Sequence, residues 1–165
     1  MINRIWAMPN KNTFKIKPIR ELLNRYISPQ LFSIDPFANS NKFASITNDI
    51  DISQKTDYHL DGIEFVKTLS GESVDIILND PPYNIYQLNA CYQNLDQSVT
   101  LYENPKYWEE LKKEYDRVLK KNGVIISFSW CSDVMSSYNY EIQEILIVPH
   151  GGIHYDTVCC VEKKC

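Results

Sequence analysis

The chain has 165 residues, a formal net charge of −4 and a hydrophobic content of 44%. A chain of this length can bury one sizeable core but is too short for two domains of ordinary size. No run of about 18 apolar residues occurs, which argues against a transmembrane helix. The first residues also lack the apolar core of a secretory signal peptide, so we expect a cytoplasmic protein.

The charge is distributed unevenly along the chain. Residues 1–34 carry six basic residues and one acidic residue, whereas residues 35–165 are strongly acidic. A basic N-terminal segment on an acidic body is suited to facing the phosphates of a nucleic acid. A solvated helix surface has the same composition, and the sequence leaves both interpretations open.

The five cysteines stand at positions 91, 131, 159, 160 and 165. No two of them form a Cys-x-x-Cys pair, and an odd number in a cytoplasmic chain indicates free thiols. The same spacing argues against a structural zinc site.

A helix over residues 18–27 is the first predicted element. Pro18 suits the first turn of a helix, and Ser28-Pro29 ends it. Between them, apolar residues recur with the spacing of one buried helical face. These residues are Ile19, Leu22, Leu23, Tyr26 and Ile27.

Short apolar runs follow, each ending in polar residues, as is typical of buried parallel strands. They predict strands over residues 31–34, 44–47, 58–60 and 74–78. A short helix over residues 62–69 separates the last two strands.

The second half of the chain begins with its strongest helical pattern, over residues 105–121, which ends in a basic turn. A strand is predicted over residues 124–129. Two further strands, over residues 141–148 and 153–161, are joined by Pro149-His150-Gly151-Gly152, a turn sequence that suits a hairpin.

Strands that alternate with helices indicate an α/β fold. We predict a Rossmann-like, doubly wound and mostly parallel sheet that closes with the C-terminal antiparallel hairpin, in one domain over residues 1–165. In such sheets, ligands bind at the carboxyl ends of the strands. Four acidic residues stand at predicted strand ends and would meet at this edge: Asp35, Asp49, Asp61 and Asp80.

The most informative segment is Asp80-Pro81-Pro82-Tyr83. Its prolines fix the backbone and remove two N–H donors, so the carbonyl oxygens there are held rigid and can accept. The Asp80 carboxylate and a neighbouring carbonyl, such as that of Pro81, suit the two N–H groups of an exocyclic amine. Tyr83 can stack on a base. The segment therefore indicates chemistry on a nucleobase amine through positioning and electrostatics, and the alternative is a simple tight turn.

The segment resembles the signature of amino-methyltransferases that act on nucleic acids, above all adenine-N6 DNA methyltransferases. Upstream, residues 6–19 look like the opening of small adenine methyltransferases carried by phages and mobile elements. The resemblance implies a class I methyltransferase fold, S-adenosylmethionine as cofactor and DNA as partner. It also implies a catalytic motif formed by Asp80, Pro81, Pro82 and Tyr83.

The same resemblance implies a cofactor site. Residues 1–28 would form an N-terminal cofactor-binding segment and helix, and the loop after the first strand would contact the methionine moiety. The end of the second strand would accept the ribose hydroxyls, and residues 61–62 would contact the adenine. The implied cofactor-binding residues are Asn10, Thr13, Phe14, Asp35, Pro36, Phe37, Ala38, Asn48, Asp49, Ile50, Asp61 and Gly62.

The cofactor loop departs from the family's pattern because it has no glycine. Glycines reach positive φ and let the backbone approach a ligand. Here Asn39-Ser40-Asn41 follows Ala38. Asn is the non-glycine residue that best tolerates the left-handed region, so we expect the turn to form without glycine.

Motifs of other chemistries are missing from the sequence. Cytosine-C5 methylation uses a cysteine after a proline, and no Pro-Cys pair occurs. Neither the glycine-rich dinucleotide motif nor a P-loop is present. His150 and His154 flank two glycines that indicate a turn rather than a helix, so we expect no metal site.

Target binding is expected to involve the residues that follow the catalytic motif. Residues 84–104, with Tyr86, Tyr92 and Tyr102, form the segment that we expect to close over a base flipped out of the duplex. An ordinary connection packed on the body is the alternative. No segment is long enough for a separate target-recognition domain, so we expect short or weak sequence specificity, a homodimer or a second subunit.

Two other functions remain compatible with the sequence. The first is an RNA adenine-N6 or cytosine-N4 methyltransferase, which keeps the chemistry and changes the substrate. The second is a non-catalytic regulatory subunit that binds the cofactor or a nucleic acid, which the acidic charge and the glycine-free loop would suit.

Overall fold

The computed structural model describes residues 1–82, 106–132 and 134–165. Within these residues, seven strands form one sheet in the order β1-β6-β7-β5-β4-β2-β3. The strands are β1 (Ile2–Arg4), β2 (Ser33–Asp35), β3 (Ile46–Thr47), β4 (Val74–Asn79), β5 (Leu119–Ser129), β6 (Tyr140–Val148) and β7 (Thr157–Lys164).

Three α-helices and one 3-10 helix connect these strands in the described residues. They are the 3-10 helix Thr13–Lys15, α1 (Lys17–Tyr26), α2 (Gly62–Lys67) and α3 (Tyr107–Val118). The predicted helices at 18–27 and 62–69 are confirmed with small changes of boundary, and Pro18 lies in the first turn of α1 as expected.

The sheet is mostly parallel, as predicted. Strand β2 pairs in parallel with β3 and β4, β4 with β5, and β1 with β6. Strand β7 lies antiparallel between β5 and β6 and so forms the predicted C-terminal hairpin. The α/β prediction is therefore confirmed.

Helices cover both faces of the sheet. In β4, Ile76 and Leu78 belong to the core cluster that also contains Leu22 and Leu23 of α1. The intervening Ile77 belongs to the opposite cluster, which contains apolar residues of α2 and α3. This alternation is the period-2 geometry of a strand buried on both sides, and it makes the sheet doubly wound.

The predicted strand at 58–60 is wrong. The chain there forms a single parallel bridge between Asn48 and Tyr58. The backbone of Leu60 instead bonds to the side chain of Asn48, through both its N–H and its carbonyl group. A side chain thus occupies the groups that a further strand ladder would need.

The helix predicted over residues 105–121 ends earlier than expected, at Val118. Residues 119–123 belong to β5, where the pairing register with β4 shifts between Val74 and Ile76. Asn122 has a φ of 66°, and Lys120 lies 2.8 Å from Asp75 of β4. The basic residues therefore begin a strand that bulges from the sheet, rather than ending a helix.

The turn of the hairpin is longer than predicted, because β7 begins at Thr157 rather than at residue 153. Gly151 and Gly152 have φ values of 72° and 61°, which only glycine adopts readily. Ile153 is 96% exposed and lies outside the sheet. Strand β1 was not predicted, since three residues are too few for a periodic pattern.

Other expectations concern the whole chain. Among the described residues, Cys131, Cys159, Cys160 and Cys165 are free thiols. Cys91, which was also predicted to be a free thiol, lies outside the described residues. In the described residues, no group of three potential ligands is arranged to hold a metal ion. No helix in that part of the chain is long and apolar enough to cross a membrane.

We expect Gly62→Ala to destabilise the protein by about 1–3 kcal/mol through overpacking. A Cβ at this position would lie 2.6 Å from Cζ of the buried Phe37 ring and 3.2 Å from the hydroxyl oxygen of Tyr107. Urea unfolding measures the effect. Gly71→Ala is the control, because the nearest atom to its Cβ is 3.5 Å away. Equal midpoints for the two variants would contradict the prediction.

Candidate active site

The carboxyl edge of the sheet brings together acidic residues from neighbouring strands. Strands β3, β2 and β4 are adjacent and parallel, so their carboxyl ends meet at one edge. Asp35 is the last residue of β2, Asp80 follows β4 directly, and Asp49 lies two residues beyond β3. Asp61, predicted at a strand end, instead caps the N-terminus of α2. We call these four residues the acidic rim.

Asp35 is fully buried in the acidic rim. Its Oδ1 accepts a hydrogen bond of 3.1 Å from the backbone N–H of Phe37, and its Oδ2 has no partner among the described residues. Burial raises the pKa of this carboxyl well above its ordinary value, the Phe37 N–H opposes the rise, and the nearby Asp80 and Asp49 add to it. A buried acceptor without a partner suits a cationic or N–H-bearing ligand group.

Asp49 holds the loop that follows β2. Its Oδ2 accepts from the backbone N–H of Asn39 at 2.8 Å, and its Oδ1 accepts from that of Asp51 at 2.9 Å. Burial raises the pKa of Asp49, and these two N–H groups oppose the rise. Each oxygen retains a lone pair, so the carboxylate can still accept from a ligand hydroxyl.

The loop after β2 turns without glycine, as expected. Asn39 has a φ of 51°, in the left-handed region. A hydrogen bond of 2.8 Å from the Asn41 N–H to the Ala38 carbonyl closes the turn. Asn39 therefore takes the place of glycine at the position where the backbone needs a positive φ.

Asn48 is a buried structural residue of this loop. Its Nδ2 donates to the carbonyls of Pro36 and Leu60, both at 2.9 Å. Its Oδ1 accepts from the N–H of Leu60 at 2.9 Å. These bonds use the donors and acceptor of the side chain, so Asn48 connects the loops after β2 and β3 instead of presenting its amide to a ligand.

The remaining residues of the predicted cofactor loops are mostly buried. Pro36, Phe37 and Ala38 are buried and Ile50 is half-buried. Asp61 accepts from the N–H of Ile63 at 2.9 Å and from the Tyr107 hydroxyl at 3.2 Å.

The predicted N-terminal cofactor residues separate into two environments. Asn10 and Thr13 line a cavity of about 340 Å³ on the hairpin side of the carboxyl edge. Phe14 is fully buried in the core, where its ring centroid lies 4.9 Å from that of Phe128 and 5.7 Å from that of Phe43. Its direct role is therefore in packing.

The predicted catalytic segment, residues 80–83, begins at the carboxyl end of β4. Pro81 is buried, and Asp80 and Pro82 are half-buried. Tyr83 lies outside the described residues, as does the predicted target loop at 84–104.

Sequence reasoning missed a buried polar network directly before Asp80. The Tyr115 hydroxyl donates to Oδ1 of Asn79 at 2.9 Å, and Nδ2 of Asn79 donates to Oγ of Ser127 at 3.4 Å. The network joins α3, β4 and β5 and fixes the residue that precedes the motif. An amide directly after the apolar residues 76–78 was its only signal in the sequence.

Comparison with known sequences gives one informative match, and no family model matches the chain. The chain is 34% identical over 82 residues to the Type II methyltransferase M.HpaI of Haemophilus parainfluenzae. The match covers 50% of this chain and 24% of the relative. The chain thus spans about a quarter of the length of the curated relative that it matches.

Comparison with solved structures shows the fold. The chain is similar to yhhF of Escherichia coli, described as a methyltransferase, with a TM-score of 0.56, 13% identity and coverage of 95% and 90% of the two chains. It is also similar to SMU.776, described as a methyltransferase and complexed with SAH, with a TM-score of 0.56, 14% identity and coverage of 88% and 48%. The chain has the Rossmann-like fold of class I methyltransferases.

We expect Asn39→Ala to lower the free energy of unfolding by about 1 kcal/mol, because alanine is strained in the left-handed region. Asn39→Gly is the matched control and should remain within about 0.5 kcal/mol of the wild type. Chemical denaturation compares the three proteins. Equal stability of the alanine and glycine variants would show that the positive φ of this loop carries no strain.

Asp35→Asn is expected to stabilise the protein at about pH 8 and to lose this advantage towards about pH 4. The folded protein binds the Asp35 proton more tightly than the unfolded chain does, so Asp35 disfavours folding once the pH rises above its ordinary pKa. Thermal unfolding at several pH values measures the difference.

Asp57→Asn provides a control of opposite sign. Hydrogen bonds from the Thr47 side chain and backbone lower the pKa of Asp57, so this carboxylate favours folding at neutral pH and the favourable contribution is lost on acidification. Asp57→Asn should therefore destabilise at about pH 8. A loss of stability in Asp35→Asn at that pH would contradict our account of the buried carboxyl.

Proposed function

We propose that the chain is a methyltransferase catalytic domain that transfers the methyl group of S-adenosylmethionine to the N6 amine of adenine in DNA. The observation that carries the proposal is the position of Asp80-Pro81-Pro82 at the carboxyl end of β4, beside Asp35 at the end of the paired strand β2. The class I fold and the match to a type II methyltransferase support it.

The residues of the acidic rim fit the cofactor. S-adenosylmethionine supplies an electrophilic methyl group and carries an ammonium group, ribose hydroxyls and an adenine. Asp35 would accept from the ammonium group, because its buried Oδ2 has no partner among the described residues. Asp49 would accept from the ribose, and Asp61-Gly62 would face the adenine. The residues predicted at 36–38 and Ile50 would surround these groups.

The catalytic work of the chain lies in positioning the acceptor amine. The Asp80 carboxylate and the Pro81 carbonyl would accept its two N–H groups, which draws the nitrogen towards tetrahedral geometry and makes its lone pair available. Pro81 and Pro82 hold that carbonyl in place, and Tyr83 would stack on the base. The proton released as the N–C bond forms can pass to the Asp80 carboxylate that already accepts it.

DNA is the proposed substrate because the relative matched in sequence is a type II methyltransferase. We propose that residues 1–165 act as one catalytic domain whose N-terminal segment, residues 1–28, borders the site. We propose that a second copy of the chain or another subunit contributes to target recognition. RNA adenine and cytosine-N4 amines are the substrate alternatives that the assay below distinguishes.

Asp80→Ala is expected to lower kcat for methyl transfer by at least about 100-fold, because the acceptor amine loses its carboxylate partner. The assay incubates the protein with tritiated S-adenosylmethionine and unmethylated DNA or RNA and identifies the labelled nucleoside. Asp80→Asn keeps one acceptor oxygen and should retain part of the activity. Glu64→Ala removes an exposed carboxylate on α2 and should leave activity unchanged.

The identity of the labelled nucleoside distinguishes the proposed function from its alternatives. Label in N6-methyladenine that disappears in Asp80→Ala supports the proposal. Label in N4-methylcytosine, or in RNA alone, would replace the proposed substrate. Cofactor binding by calorimetry without transfer to any nucleic acid would favour a regulatory subunit.

A further inference from the structure

The cavity on the hairpin side of the carboxyl edge has a mixed aromatic and polar lining. Its volume is about 340 Å³, and its walls come from the N-terminal segment, the end of β5 and the turn between β6 and β7. We call it the aromatic cavity. The lining residues that matter here are Asn10, Lys11, Thr13, Trp130, His150 and Tyr155.

The aromatic cavity lies beside the proposed catalytic segment. Asn79 of β4 is opposite Ser127 of the neighbouring β5, and adjacent strands are about 4.8 Å apart. Asp80 follows Asn79 directly, and Trp130 follows the last residue of β5. Asp80 itself is not among the residues described as lining the cavity. A group held there would therefore be next to the reacting amine rather than the amine itself.

The walls of the cavity are joined by a buried histidine. Nδ1 of His150 lies 2.9 Å from the carbonyl oxygen of Ala7, to which it must donate, and Nε2 lies 2.9 Å from Oγ1 of Thr157. The N–H of Ala7 also donates to the carbonyl of Pro149. The N-terminal segment is thus fixed to the hairpin, so the cavity has a defined width before any ligand arrives.

Two aromatic rings form one side of the cavity. The ring centroids of Trp130 and Tyr155 are 4.8 Å apart with an angle of 41° between their planes. Trp130 is 42% exposed and Tyr155 is 73% exposed. This much accessible aromatic surface suits a flat heterocycle, because stacking is favourable for every nucleobase. The amide of Asn10 and the hydroxyl of Thr13 add hydrogen-bonding groups.

Positive charge borders the same cavity. Lys11 lines it and Lys15, on the following 3-10 helix, is exposed. Neither lysine takes part in an ion pair between described residues, whose ion pairs involve other basic side chains. Flat aromatic surface next to lysines matches a base and its phosphate, and so favours a nucleotide over an apolar ligand.

We propose that the aromatic cavity binds an unpaired nucleotide that neighbours the methylated one in the substrate strand, with its base on Trp130 and Tyr155 and its phosphate near Lys11. The position of this nucleotide relative to the reaction rests on the proposed function. Both DNA and RNA offer this chemistry. The cavity would thus add a sequence or structure preference at one position beside the target base.

Binding of a short, fluorescently labelled single strand tests the cavity without any methyl transfer. Trp130→Ala and Tyr155→Ala should each weaken the affinity for an oligodeoxynucleotide about tenfold. Trp130→Phe and Tyr155→Phe keep a ring and should remain within about threefold of the wild type. Parallel measurements with an oligoribonucleotide and with a duplex show whether DNA, RNA or paired DNA is bound most tightly. Tighter binding of the perfect duplex than of the single strand would overturn the proposal.

Lys11→Ala provides a second variant that does not disturb the aromatic pair. It should weaken binding of all sequences alike and lower the slope of log affinity against log salt by about one. Thermal unfolding confirms that each variant is folded. An unchanged salt slope in Lys11→Ala, or wild-type affinity in both aromatic-to-alanine variants, would overturn the proposal.

A substrate with an abasic residue beside the target adenine separates this proposal from the proposed function. The wild type should lose about tenfold in kcat/KM on that substrate, whereas Trp130→Ala should lose little more, because the same contact is removed twice. Independent losses would overturn the assignment of the neighbouring nucleotide. If the wild type transfers no methyl group but the cavity variants still weaken strand binding, the proposed function fails and the binding site stands.

Discussion

The carboxyl edge of the sheet depends on the hydrogen bonds of Asn48. Its backbone N–H donates to the carbonyl of Asp35, and its backbone carbonyl accepts from the N–H of Ala38, both at 2.8 Å. Its side chain bonds to the backbone of Pro36 and Leu60. One fully buried residue thus bonds polar groups of two other segments, residues 35–38 and Leu60, and it replaces the strand ladder that is missing after β3.

This arrangement explains how a loop without glycine can serve as a ligand loop. Asn48 holds the chain on either side of the turn, and Asp49 accepts from the N–H of Asn39, so the surroundings determine the positive φ of Asn39. Oδ2 of Asp35, at the start of this loop, is buried and has no partner among the described residues. The raised pKa of Asp35 means that its ionised form opposes folding at neutral pH, and under the proposed function this cost would be that of a binding group prepared for its ligand.

The parts of the fold that follow from local patterns were predictable from the sequence. Helix α1 has clear periodicity, strand β4 is a nearly continuous apolar run, and the motif at residues 80–83 stands out by composition alone. The errors have different causes. At residues 58–60 the side chain of Asn48 replaces backbone pairing, after Val118 the chain enters β5 instead of continuing the helix, and β1 is too short for a periodic pattern. Nothing in the sequence shows that Asn48 bonds to Leu60, and Phe14 cannot be distinguished as a core residue by its spacing. The bonds of Asn79 and Asp49 likewise depend on contacts that only the folded chain creates.

The fold separates acidic residues from basic residues along the carboxyl edge of the sheet. Asp35, Asp49 and Asp80 of the acidic rim lie at or just beyond the ends of β2, β3 and β4, whereas Lys11 lines the aromatic cavity beside the hairpin. Under the proposed function, the first region would repel a polyanion and the second would attract it, which would orient a nucleic acid along the edge although the net charge is negative. A cationic cofactor has the opposite preference. Under the proposed function, the two ends of the carboxyl edge would therefore select oppositely charged ligands and place the reacting groups of both beside β4.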